Sequence, residues 1–157
     1  GSGIQLDASG NIFVVGYGEN SDDDYDMIIW KYGSTGTLDS TFGTGGIVVS
    51  DGAIGYPNAA DDGYELVLDG SGNIYVTGYS WVETFDRDMV IWKYDSEGTP
   101  DVTFGTDGVV VSGLITGSEA PLDAGWDIAL DGSGNLYVTG NLEHGGTNRD
   151  MVIWNYN

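Results

Sequence analysis

The feature that most constrains this chain is a period of 62 residues. Asn11, Asn73 and Asn135 stand 62 residues apart, and so do Trp30, Trp92 and Trp154. Residues 69–94, DGSGNIYVTGYSWVETFDRDMVIWKY, have one counterpart upstream (DASGNIFVVG…DMIIWKY) and another downstream (DGSGNLYVTG…DMVIWNY). Segments 63–95 and 125–157 are identical at 18 of 33 positions. An unbroken period of this length marks stacked structural units. The chain therefore divides into unit 1–62, unit 63–124 and a partial unit 125–157.

Within a unit the pattern predicts four short strands. In the second unit these are 64–69 (YELVLD), 74–79 (IYVTGY), 89–94 (MVIWKY) and 109–112 (VVVS). The first two are joined by Asp69-Gly70-Ser71-Gly72-Asn73, whose glycines and short polar side chains suit a tight hairpin with positive φ. The third strand is apolar on both faces, with Met89 and Ile91 on one and Val90, Trp92 and Tyr94 on the other. Such a strand belongs to a sheet covered on both sides. With 27 glycines and few strong helix formers, the composition also favours an all-β fold. Four-stranded antiparallel sheets covered on both faces by neighbouring copies describe β-propeller blades. A β-helix rung is usually shorter, and a three-fold β-prism would need a complete third unit. The expected architecture is thus about two and a half propeller blades.

The run DGSGNIYVTGYS followed by DMVIWKY resembles the seven-bladed β-propeller (SBBP) repeat, and LDSTFGTGGIV resembles the delta-60 repeat. The resemblance covers essentially the whole chain. It implies repeated blades in large secreted or surface proteins and carries over no catalytic residue. About two and a half blades cannot close a ring, so the exposed ends call for a partner: further copies of the chain or neighbouring blades of a longer array.

The net charge of −21 and only four basic residues exclude nucleic acid and anionic membranes as partners. Those four fall at repeat positions, Lys31 with Lys93 and Arg87 with Arg149, which marks them as structural. No apolar run is long enough to cross a membrane. The absence of Cys removes disulfide and thiolate chemistry. An acidic, Lys-poor chain suits an extracellular or cell-surface setting.

Candidate site residues lie where the copies diverge. These are the segments between strands two and three (17–26, 79–88, 141–150) and the connections 51–62 and 113–124. An alternating antiparallel blade puts all of them at one end, where a rigid scaffold usually carries binding. Tyr56, Trp81 and Phe85 could stack on a sugar, and His144, the single histidine, sits in a Gly-rich segment; a merely packed or solvated side chain is the commoner outcome for each. Asp22, Asp23 and Asp24 could hold a hard cation such as Ca2+, although a run of acids is more often a solvated loop. Asp69, Ser71 and Asn73 resemble the opening of a calcium loop, but Ile74 stands where that loop needs glycine, so a self-bonded turn is favoured. Asp26, Asp88 and Asp150, each before a third strand, read as strand-start hydrogen-bond or ion-pair groups. One His and no Ser/His/Asp grouping leave little for nucleophilic or zinc chemistry. The expected function is a non-catalytic module serving as a structural or interaction surface. The alternative is a carbohydrate-binding or calcium-dependent adhesion module.

Overall fold

A computed structural model describes the chain except residues 21–23, 56–58, 84–85, 113–121, 145–147 and 157; for 82, 83, 144, 148 and 149 only the backbone is described. The described residues form three antiparallel sheets and no helix. Blade 1 contains β1 (Gly3–Leu6), β2 (Ile12–Glu19), β3 (Tyr25–Tyr32) and β4 (Ile47–Ser50), bonded in that order. Blade 2 repeats it with β5 (Asp61–Leu68), β6 (Ile74–Glu83), β7 (Asp86–Tyr94) and β8 (Val109–Ser112). Blade 3 contains β9 (Ala124–Leu130), β10 (Leu136–His144) and β11 (Asn148–Tyr156). The propeller-type architecture expected from the period is the one observed.

The first turn of each blade is built by one aspartate. Asp69 accepts from the backbone N–H of Ser71 (2.8 Å) and Asn73 (2.9 Å) and from Asn73 Nδ2 (2.7 Å). Asp7 and Asp131 make the same three bonds in their own turns. Gly72 takes φ +84°, as the turn requires. With the carboxylate committed to its own backbone, the calcium-loop likeness of D-x-S-G-N is accounted for by turn chemistry.

The two faces of each third strand pack against different neighbours. Phe13, Val15, Met27 and Ile29 of blade 1 meet Leu66, Ile74, Val90 and Trp92 of blade 2 in one core. Tyr75, Met89 and Ile91 of blade 2 meet Ile128, Val138 and Trp154 of blade 3 in a second. These are the same repeat positions at both junctions. Each fully buried aliphatic side chain contributes roughly 1.5–3 kcal/mol over leaving it in water. The inner strands approach closely: a Cβ on Gly63 would lie 2.6 Å from Val15 Cγ2 and 2.8 Å from Met27 Cγ, so only glycine lets β5 seat on blade 1.

Both lysines are structural, as their repeat positions suggest. Lys31 pairs with Asp39 (3.4 Å) over the rings of Phe13 and Phe42, and Lys93 with Asp101 (2.7 Å) over Tyr75 and Phe104.

Two expectations change. The described residues of the segments between the second and third strands are mostly strand rather than loop, because in blade 2 pairing continues through Ser80↔Asp88 and Trp81↔Arg87 to Glu83↔Asp86. His144 likewise ends β10, paired with Asn148, instead of lying in an irregular loop. Asp26, Asp88 and Asp150 consequently lie inside the third strands rather than before them.

Candidate functional site

The divergent hairpin ends and the starts of β5 and β9 share one end of the array, since Asp61 pairs with Ser80 and Met89 with Ser112. There, β5 shifts register between Gly63 and Glu65, leaving Tyr64 outside the ladder. The shift opposite Thr139/Gly140 does the same to Trp126 in β9. A bulge of this kind re-aims a side chain. As a result the Tyr64 and Trp126 rings lie 4.7 Å apart, tilted by 38°, across the junction of blades 2 and 3.

Tyr79 of β6 extends the aromatic group, 5.6 Å from Tyr64 and 6.2 Å from Trp81. The Arg87 guanidinium sits 4.3 Å from the centre of the Tyr79 ring, a cation–π arrangement, and its charge favours the ionised form of Asp62. The Tyr79 hydroxyl donates to Asp62 Oδ2. Burial, then the Asp62 hydrogen bond, raise the Tyr79 phenol far above its ordinary value, so it remains a donor. Burial also raises the Asp62 carboxyl, against the lowering effects of Tyr79 and Arg87. Trp126 Nε1 donates to Asn141 Oδ1 (2.7 Å), and Asn141 Nδ2 donates to the Leu122 carbonyl (2.6 Å). That pair of bonds fixes the amide and, through it, the indole. Trp126 is 44% exposed, while Tyr79 and Asp62 are buried beneath. The site is therefore an open aromatic face over a preset carboxylate, guanidinium and amide.

Such a set can pack the C–H face of a flat ligand and bond its hydroxyls. Among the described residues, no group of three Asp, Glu or His side chains could hold a metal.

Trp81 is the one predicted residue that the structure brings into this cluster. Tyr56, Phe85, Asp22 and Asp23 lie outside the described residues, as does the His144 side chain. Asp24 precedes β3 in blade 1, far along the chain from the cluster, and its carboxylate oxygens meet no partner among the described residues. Asp62, Tyr64, Tyr79, Arg87, Trp126 and Asn141 were not anticipated. The available signal was the aromatic pair at one repeat position, Tyr64 and Trp126, just after the junction glycines Gly63 and Gly125. A cavity of about 1260 Å³ lies elsewhere, along β4 and β8, lined among others by Val48, Ile54, Tyr94 and Val109.

Residues 8–42 match the DUF5122 β-propeller domain of unknown function, and residues 54–86 match the SBBP β-propeller repeat. No curated protein matches the chain. Among solved structures it is similar to a fucose lectin from Kordia zhangzhouensis in complex with methyl-fucoside. That similarity has a TM-score of 0.52 at 17% identity and covers 98% of this chain and 92% of the other, a likeness of fold. The chain thus has a β-propeller-type repeat fold, with a DUF5122 match in its first blade and an SBBP match running into its second.

Proposed function

We propose that this chain is a non-catalytic interaction module whose working surface is the loop-bearing end, and that the Tyr64–Tyr79–Trp81–Trp126 cluster binds a carbohydrate. The observation that carries the reading is the open Trp126 indole, fixed by Asn141 and lying 4.7 Å from the Tyr64 ring, which leads through Tyr79 to Asp62 and Arg87. A sugar ring offers an apolar face and a rim of hydroxyls, which is what an aromatic platform with a few fixed polar groups accommodates. The lectin fold neighbour is compatible with this reading, and so is an extracellular or cell-surface setting for a chain of net charge −21. The reading assigns no catalytic role to any residue of the cluster. Calcium is part of the proposal as a separate arm, through Asp24 together with Asp22 and Asp23.

Calorimetric titration with a panel of methyl glycosides, methyl-fucoside included, tests the reading. At least one glycoside should bind, with affinity reduced tenfold or more in Trp126→Ala and no hydrolysis product. Loss of binding in EDTA would assign calcium a part; unchanged binding would remove it. Failure of every glycoside, with and without calcium, would overturn the carbohydrate reading.

A further inference from the structure

The aromatic residues at the loop-bearing end continue beyond the cluster that sets Tyr64 against Trp126. In blade 1, Tyr17 and Tyr25 occupy the repeat positions of Tyr79 and Arg87. Their rings lie 5.5 Å apart, nearly perpendicular, and are 46% and 45% exposed. This pair reaches the cluster across the blade 1–2 junction. A Cβ on Gly63 would lie 3.3 Å from the Gly16 carbonyl oxygen, so the next residue of each strand, Tyr64 and Tyr17, are neighbours there. Their phenols are close enough for the charges to interact. The rings thus follow one another from Tyr25 through Tyr17 and Tyr64 to Trp126, with Tyr79 and Trp81 branching from Tyr64. A cross-strand tyrosine pair can serve merely to hold its own hairpin together. Here, however, Tyr17 and Tyr25 are as open as Trp126, at 44%, so the two ends of one track each offer a ring to a ligand.

We propose that this end takes an extended, neutral glycan, anchored by one sugar at Tyr64 and Trp126 and running across the blade 1–2 junction to a second stacking subsite on Tyr17 and Tyr25. The proposal rests on the carbohydrate reading above and names the class of its ligand. The polar groups that fix an orientation, Asn141 on Trp126 and Asp62 with Arg87 beside Tyr79, all lie on the blade 2–3 side. That side therefore selects the sugar, and the tyrosine pair adds stacking. A chain of linked sugars gains from both, because once the anchor is bound the second contact is intramolecular. Neutrality follows from charge. Glu19 is exposed and pairs with Tyr25 in the ladder, Asp62 lies beside Tyr79, and the whole chain carries −21, a field that repels an acidic polysaccharide.

Calorimetric titration with neutral gluco-, manno-, galacto- and xylo-oligosaccharides of two to six units, each beside its methyl glycoside, tests this. At least one series should bind tenfold or more tighter at four units than as the methyl glycoside. Tyr17→Ala and Tyr25→Ala should each remove most of that gain, and Tyr25→Phe, which keeps the ring, should retain it. Trp126→Ala should weaken every length. If a methyl glycoside binds but no series gains with length, the carbohydrate reading stands and the extended site is wrong, a result that needs no variant. A gain that survives both alanine variants would equally overturn the track. Oligogalacturonides should bind more weakly than the neutral series; tighter binding would overturn the neutral class. If no sugar of any length binds, both readings fall together.

Discussion

The junction of blades 1 and 2 and the junction of blades 2 and 3 share one core and differ at their loop-bearing ends. In both cores a tryptophan, Trp92 or Trp154, covers the methionine and isoleucine of the preceding blade's third strand. At the first junction the positions of Tyr79 and Arg87 are occupied by Tyr17 and Tyr25, an edge-to-face pair 5.5 Å apart and nearly half exposed. Glu19 stands where the second junction has Trp81. Only the second junction couples aromatic rings to a buried carboxylate and a guanidinium. The repeat sets the packing, and departures from the repeat set the chemistry.

The largest expected effect breaks the shared part. Trp92→Ala should cost about 3–5 kcal/mol in urea unfolding, the range for truncating a buried aromatic. Trp154→Ala should cost less, because β11 has no described strand on its outer edge and the sheet around it can relax.

Next come the carboxyls beside each junction. Burial pushes Asp61 up to about 6, reinforced by Asp26 and Asp51, and pushes Asp88 up to about 6, reinforced by Asp86 and Asp123. Unfolded, each would ionise near 3.8. As pH rises from 3.8 to 6 the unfolded chain loses these protons first, so both groups lower stability progressively, and the penalty is constant above 6. Asp61→Asn, which can still accept from the Ala53 N–H, should therefore stabilise the protein at pH 7 by about 2–3 kcal/mol. The variant's melting temperature should vary less between pH 4 and 6 than the parent's; an unchanged profile would contradict the assignment.

A smaller effect is expected at the repeated turn. Asp69→Ala removes three hydrogen bonds from a partly exposed site and should cost about 1–2 kcal/mol. Added calcium should raise the melting temperature of the parent and of Asp69→Ala alike, because the proposed calcium arm lies at residues 22–24 and the Asp69 carboxylate is committed to its own turn.

The strands, the two-faced third strand and the structural lysines were legible because each recurs every 62 residues with its apolar pattern intact. The outward extension of β6 and β7 was not, since Ser80, Asp86 and Arg87 look like loop residues until their cross-strand partners are known. The binding cluster was hidden for a different reason. It assembles residues from 62 to 141 through two register shifts, and nothing in the local sequence announces a bulge that sets Tyr64 against Trp126. Trp81 was readable because it is an aromatic residue in a divergent segment, whereas Tyr79 passed for an ordinary strand residue.

The most direct test of the division between repeated core and divergent site is the set of five indole N–H resonances, from Trp30, Trp81, Trp92, Trp126 and Trp154, followed by NMR during titration with a bound glycoside. Trp126, and to a lesser extent Trp81, should shift with the ligand while Trp92 and Trp154 stay in place. Movement of the core tryptophans without Trp126, or a ligand that moves none of the five, would contradict the account.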